Sequence, residues 1–352
     1  MTSIPSIRIG QRTVGQGFPA YIVAEIGINH NGDMRLAKQS IDAARAAGAD
    51  AVKFQNYKTD DFVVSPDIEH TYVSQGKEIS EPQAEMFKRY ELSDDQVLDL
   101  AHYCRNAEID FHSTPTNENG IQLLVDAGVG VLKNGSDYLS NIPLIEAMAR
   151  TNLPTVLSTG MATLSDIDEA ARAFHASGNE QLILLHCTSQ YPAPFDDLNL
   201  LRIPQLSSTF GCLSGFSDHS KGALAATLSV PLGACWVEKH FTFDKTLPGP
   251  DHSFSCDPAE FKELVDQVRL AESALGSASL VRMSAAESKN RLAYRLSCAA
   301  KTNLQEGAIL SRNDIAFFRP GDGIPISQIE LIIGRRLSRS LSRGEIFKSD
   351  MF

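Results

Sequence analysis

The chain has 352 residues, 43% apolar and 21% charged, the profile of a globular protein long enough for one large domain or two. A formal net charge of −11 speaks against a general nucleic-acid binder or a polybasic membrane binder, while leaving room for a local basic pocket. No run approaches the roughly 18 apolar residues of a membrane span, the N-terminus lacks a signal-peptide core, and six cysteines without a C-x-x-C pair predict buried thiols in a cytoplasmic protein.

In chain order, "IRIGQRTVG" (7–15) predicts a small hairpin covering the floor of a barrel. Short apolar runs then predict eight strands, at 20–27, 50–55, 109–114, 130–135, 155–160, 182–187, 213–218 and 235–241. Amphipathic segments such as "LAKQSIDAARAAG", "NGIQLLVDAG" and "IPLIEAMARTN" lie between them. "PAEFKELVDQVRLAESALG" closes the series, with Phe261, Leu264, Val265, Val268 and Leu275 on one helical face. Strand and helix alternating eight times over residues 1–276 predict an α/β fold, the (β/α)8 TIM barrel, with a doubly wound open sheet as the competitor. The long connection 56–108 reads as an excursion over the barrel mouth. Residues 277–292 are polar and aperiodic and read as a linker. Residues 293–352 read as a small β-rich domain, with "LQEGAIL" and "LSRGEIF" as a faint internal echo.

The C-terminal ends of barrel strands form the active face. At the point where each apolar run turns polar stand Glu25, Lys53 with Gln55, Ser113 with Thr114, Lys133 with Ser136, Ser158 with Thr159, His186 with Ser189, Ser217 with His219, and Glu238 with His240. Singly such endings are common, so the signal lies in the set. His219 and His240 end adjacent strands and could share a divalent ion such as Mn²⁺, Zn²⁺ or Co²⁺, with water and substrate completing the shell. The competing reading makes each a hydrogen-bonding core histidine. A lysine inside an apolar strand is costly unless paired. Lys53 and Lys133, among Ser136, Ser158, Ser189 and Ser217, suggest a phosphate site. Pairing with Glu25 and Glu238 is the alternative, and the two readings are compatible. A Schiff-base lysine is a third. No G-x-G-x-x-G or P-loop pattern supports nucleotide use.

"AEIGINHNGD", "AVKFQ", "KNGSD", "LSTGMA", "LLHCTSQYPAP", "GFSDHS", "EKHFT" and "PGPDHSFS" resemble, in order, the signatures of the sialic acid (N-acylneuraminate) synthase family. The C-terminal "FFRPGDGI" resembles the antifreeze-like (SAF) domain of those synthases. The resemblance covers essentially the whole chain. It implies condensation of phosphoenolpyruvate with an N-acyl-mannosamine-type aldose, giving a nine-carbon 2-keto acid and phosphate. It also implies a divalent metal, Mn²⁺ foremost with Mg²⁺ or Co²⁺ as options, held by His219 and His240. By the same resemblance Lys53, Thr114, Lys133, Ser136, Ser158, Ser189 and Ser217 hold phosphoenolpyruvate, and Glu25 acts at the reacting centre. Gln55, Tyr191 and Asp251 match sugar-contacting positions. Arg319 matches an arginine that the partner's SAF domain extends over the sugar, which implies a domain-swapped homodimer. Ser189 stands where the family often has Asn, and Tyr138 where the neuraminate branch has Glu. "EPQAEMFKRYELS" and "GPDHSFS" resemble the legionaminic acid synthase branch, with neuraminate and pseudaminate synthases as alternatives. A metal-dependent aldolase and a catalytically dead sugar-binding barrel are the competitors from other classes.

Overall fold

The computed structural model describes residues 6–65, 67–276 and 283–352. They fall into two units, Met1–Gly276 and Ser277–Phe352.

In the first unit eight parallel strands run β1 Tyr21–Gly27, β2 Ala51–Asn56, β3 Asp110–Pro115, β4 Leu132–Asn134, β5 Thr155–Ser158, β6 Leu182–Cys187, β7 Leu213–Asp218 and β8 Trp236–His240. Their order in the sheet is β3-β2-β1-β8-β7-β6-β5-β4, and β3 and β4 pack against each other, so the sheet curls on itself. That closure selects the barrel over the open sheet. Every strand overlaps its expected interval, β2 and β3 running one residue past it and β4 reduced to three residues.

A helix follows each strand: α1 Met34–Ala46, α2 Asp94–Asn106, α3 Glu118–Asp126, α4 Ile142–Arg150, α5 Leu164–Ala176, α6 Arg202–Phe210, α7 Leu224–Ser229 and α8 Pro258–Leu275. Their starts are written in the sequence. Asp33 accepts from the first-turn amides of α1, and Ser93/Gln96, Thr163/Asp166 and Asp257/Glu260 form capping boxes on α2, α5 and α8. Each such cap stabilises its helix by about 1 kcal/mol. Phe261, Leu264, Val265 and Val268 of α8 are buried as expected, but Leu275 is exposed, because it sits on the helix's last turn, beyond the buried stripe.

Strand alternation sorts the side chains into two cores. Ile22, Ala24 and Ile26 of β1 face the helices, while Tyr21 and Val23 join Val156, Ile183, Leu185, Leu213 and Trp236 inside the barrel. The hairpin Ser6–Ile9/Arg12–Gly15 adds Ile7, Ile9 and Val14 to that interior cluster, plugging the floor. Asp50 secures this end. It accepts from the Ile22 amide at 2.9 Å and pairs with Arg12 and Arg269, each at 2.8 Å.

The long β2–α2 connection holds a second hairpin, Glu69–Ser74/Lys77–Pro82, and a helix, Gln83–Tyr90. The hairpin meets the loop that leaves the top of β8. Gln75 donates to the Thr246 carbonyl at 2.8 Å, and the Gly249 amide donates to Ser74 Oγ at 3.0 Å. The excursion therefore does reach the barrel mouth.

In the second unit, the stretch read as a linker is partly helical. Ser284 and Glu287 form a capping box at the start of α9, Ala285–Tyr294, which buries no side chain and so showed no apolar stripe; residues 277–282 lie outside the described residues. Strand β9 Ser297–Ala300 pairs antiparallel with β10 Ile315–Phe318 over a core of Leu310, Ile332, Leu337, Leu341 and Phe347. The echoed segments meet at an antiparallel bridge between Leu304 and Leu341. Their glycines, Gly307 and Gly344, have φ of +80° and +86°, a conformation that excludes most side chains. All six cysteines are free and buried, and no helix among the described residues is long and apolar enough to cross a membrane.

Candidate active site

Continuing the inward series upward from the apolar floor, the next residues are polar. Glu25 follows Val23 on β1, Lys53 and Gln55 follow Ala51 on β2, and Glu238 and His240 follow Trp236 on β8. Contacts across the lumen establish that they face one another. Lys53 on β2 reaches past β1 to Glu238 on β8, with Nζ 3.2 Å from Oε1. The same ammonium lies 3.3 Å from Glu25 Oε2 and donates to Thr114 Oγ1 at 3.2 Å. Lys133 Nζ donates to Ser158 Oγ at 2.7 Å and to the Asn134 carbonyl at 3.0 Å, and sits 3.7 Å from Glu238 Oε1. Ser217 donates to Glu238 at 3.4 Å, and Gln55 donates to Glu25 at 3.1 Å.

Lys53 and Lys133 are 5% and 1% exposed, so their charges stand or fall by these partners. Burial alone would push the Lys53 ammonium down, but Glu238 and Glu25 outweigh it and raise its pKa. For Lys133 burial prevails over Glu238 and the pKa falls. Burial would raise the Glu238 carboxyl, yet Lys133 and Lys53 together pull it down to about 2. Glu25 goes the other way: burial raises it, with Glu238 adding to the effect and Lys53 opposing. The two carboxylates are thus pushed apart, one firmly ionised and one drawn toward its protonated form. Both alternatives for the lysines hold geometrically, since they pair with barrel carboxylates and sit among hydroxyl donors.

Beside this cluster, segments after β4, β5 and β6 converge on Gly160. Its amide donates to Ser136 Oγ at 3.0 Å. A Cβ at Gly160 would collide with Ser189 Oγ and lie 2.8 Å from Ser136 Oγ. Gly160 is therefore what lets the two serines approach. We expect Gly160→Ala to displace both hydroxyls and raise the KM of an anionic substrate about tenfold with little change in melting temperature, about one charge-assisted hydrogen bond in size. Steady-state kinetics and a thermal melt check this.

The two histidines meet at the rim, with ring centroids 5.4 Å apart. His219 Nδ1 donates to the Thr188 carbonyl at 2.8 Å, leaving Nε2 free, and Cys187 Sγ lies 3.8 Å from the same Nδ1. Burial, then His219 and Lys53, hold the His240 pKa well below the usual histidine range, so its ring is neutral. Its Nδ1 is buried without a hydrogen-bond partner and lies 3.8 Å from Asp251 Oδ2. Burial, with the Glu25 charge behind it, pushes the Asp251 carboxyl up to about 7. The Tyr191 ring stands 4.2 Å from that of His219 and 5.7 Å from that of His240, and Phe254 flanks both Tyr191 and His240 at 5.2 Å.

Three strand-end residues named from the sequence face away from this site. Ser113 and Thr159 point out of the barrel, Thr159 donating to the Leu185 carbonyl, and His186 bonds the Leu198 carbonyl and stacks on Phe216. Arg319 belongs to the second unit, where its guanidinium lies 5.3 Å from the Tyr294 ring centre. Two inward residues went unread. His112, below Thr114 on β3, rests on the floor, with Nε2 3.0 Å from the Tyr21 hydroxyl and Nδ1 buried without a partner. Cys187, not His186, continues the series Ile183, Leu185 on β6. Strict period-two counting down from Thr114 and up from Leu185 identifies both.

Residues 40–279 match the NeuB family model, about two-thirds of the chain. The chain belongs to the NeuB family. Residues 297–352 match the SAF domain. This NeuB-family chain is 41% identical over 339 residues to an N,N'-diacetyllegionaminic acid synthase of Legionella pneumophila, covering 95% of each. It is 33% identical over 346 residues to the N-acetylneuraminate-9-phosphate synthase of Homo sapiens, covering 97% of this chain and 94% of that one. Among solved structures, an N-acetylneuraminic acid synthetase from Leptospira borgpetersenii shares 34% identity with a TM-score of 0.73, over 82% of this chain and 95% of that one. The NeuB-family chain is accordingly an enzyme, a synthase of the sialic-acid type.

Proposed function

We propose that this enzyme condenses phosphoenolpyruvate with an N-acyl-mannosamine-type aldose, and that the aldose is the 2,4-diacetamido type that leads to a legionaminic acid. Carbon 3 of phosphoenolpyruvate forms a bond to the aldehyde carbon. Water adds at carbon 2, the C–O bond to phosphate breaks, and a nine-carbon 2-keto acid and inorganic phosphate result. The observation that carries this reading is the juxtaposition of two buried ammonium groups and a ring of hydroxyls with the paired imidazoles of His219 and His240 at one barrel mouth. Lys53, Lys133, Thr114, Ser136, Ser158, Ser189 and Ser217 supply charge and donors for a carboxylate and a phosphate. Glu25, whose pKa burial raises, is placed to exchange a proton beside the reacting carbons. Gln55, Tyr191 and Asp251 line the sugar side. The free thiols accord with a cytoplasmic enzyme.

The donor set fits a divalent ion. His219 Nε2 is free because Nδ1 is committed to a carbonyl, and His240 is neutral with a buried, unpartnered nitrogen. In this reading the two imidazoles are the protein donors and water or substrate oxygens fill the remaining positions. Bound there, Mn²⁺ (or Mg²⁺ or Co²⁺) supplies Lewis-acid polarisation of the sugar carbonyl.

Phosphate release from phosphoenolpyruvate tests the reaction, with N-acetylmannosamine, its 6-phosphate and 2,4-diacetamido-2,4,6-trideoxymannose compared with and without Mn²⁺. The trideoxy sugar is expected to give the highest kcat/KM. Preference for N-acetylmannosamine or its phosphate overturns the legionaminic assignment, and pyruvate formed from the nine-carbon acid without phosphoenolpyruvate turnover overturns the condensation.

Arg319 reaches the sugar from the partner chain in this reading, within a domain-swapped homodimer. Arg319→Ala is expected to raise the sugar KM more than that of phosphoenolpyruvate. Mixing Arg319→Ala chains with His219→Ala chains should restore up to about a quarter of wild-type activity, since half the dimers then hold one complete site. No recovery on mixing assigns the arginine to its own chain.

A further inference from the structure

The residue before each rim histidine is charged, and the two charges meet. Asp218 precedes His219 and Lys239 precedes His240. They are Cα partners in the parallel ladder between β7 and β8. Ser217 and Glu238 point into the lumen, so alternation sends Asp218 and Lys239 out through the barrel wall. There Lys239 Nζ lies 2.9 Å from Asp218 Oδ2, with the two side chains 3% and 0% exposed. Lys239 also donates to the Ser220 carbonyl. Asp218 Oδ1 accepts from the Ser220 amide at 2.8 Å and from its hydroxyl at 2.7 Å. His219 is thereby fastened on both sides, and its own carbonyl accepts from the Ala193 amide at 2.9 Å.

We infer that the buried Asp218–Lys239 pair is a positioning tie that sets the spacing and ring orientation of His219 and His240. It rests on the proposed role of those histidines as a pair. A buried ion pair contributes little to stability beyond what an apolar pair of similar volume provides, because desolvation offsets attraction. What it supplies here is direction. The carboxylate closes the turn that carries His219, and the ammonium locks that turn to the strand that carries His240. Neither side chain faces the lumen, so neither touches substrate.

The test compares wild type, Asp218→Asn/Lys239→Met and Ser220→Ala. The double variant leaves no unpaired buried charge, and Ser220→Ala keeps both charges paired while removing one donor to the turn. Two readings are taken on each protein: Mn²⁺ affinity by titration, and the tautomers of His219 and His240 in metal-free protein by two-bond ¹H–¹⁵N spectra. Phosphoenolpyruvate affinity is the internal control. In the double variant, Mn²⁺ affinity is expected to fall about 10- to 100-fold, the range for outer-shell partners of metal-bound histidines, with His219 losing its single Nδ1–H tautomer. Ser220→Ala should weaken Mn²⁺ about threefold, a fraction of the hydrogen bond to the Asp218 carboxylate that it removes, because the Ser220 amide still closes the turn. Phosphoenolpyruvate affinity should stay within about twofold in both, since the lysine cluster keeps its own partners. Unchanged Mn²⁺ affinity and an unchanged His219 tautomer in both variants overturn the tie. A wild-type protein that binds no Mn²⁺ overturns the metal reading instead, and the metal-free spectra then decide the tie by themselves. If the double variant fails to fold, Ser220→Ala decides by the same two readings.

Discussion

His219→Ala is expected to lower kcat for the proposed condensation by about 1,000-fold and to remove any response of the enzyme to added Mn²⁺. The size is that of a Lewis-acid contribution of several kcal/mol to a developing oxyanion. The loss has to come from the rim and not from the fold. His219 bonds one carbonyl through Nδ1, so its removal forfeits about 1 kcal/mol of stability, while the proposed reaction calls on its Nε2. Titration with Mn²⁺ and a melting curve separate the two. Turnover that persists in the variant, or in wild type freed of divalent ions by chelation, removes the imidazole pair from the mechanism.

Lys133→Ala is expected to raise the phosphoenolpyruvate KM about 100-fold and to leave the sugar KM nearly unchanged. Lys133 is the more deeply buried of the two lysines, and its ammonium is directed by Ser158 and the Asn134 carbonyl. Those two partners leave one N–H of the ammonium for an anion, and a single charge-assisted hydrogen bond of about 3 kcal/mol accounts for that factor. The variant also frees Glu238 from one of the two charges that keep it ionised, leaving Lys53 as its partner at 3.2 Å. A modest drop in melting temperature is therefore expected alongside the kinetic effect. A defect confined to the sugar side contradicts the placement of phosphoenolpyruvate.

The site was legible where polarity broke an apolar run. Lys53 in "AVKFQ" and Glu238 in "WVEKH" stand out because a strand surrounded by helices should be apolar throughout, so a charge there needs the polar lumen or, as for Asp218 and Lys239, a buried partner in the wall. The break alone does not say which of two adjacent polar residues faces inward. His186 and Ser113 were plausible on polarity and are turned outward by the register, while Cys187 and His112 occupy the inward positions. Helix α9 escaped notice for a related reason: it buries nothing, so its sequence shows caps but no stripe.

Chain order, the eight strands, the caps and the list of residues able to carry the chemistry follow from the sequence alone, because they depend on local patterns of apolarity and on side-chain type. Tertiary structure alone decided which groups meet. Lys53 reaches Glu238, Ser136 and Ser189 close on Gly160, and Asp218 joins Lys239, the last pair being the nearest in sequence at 21 residues apart. Those meetings depend on how the sheet curls to bring residues of different strands together, which no local stretch encodes.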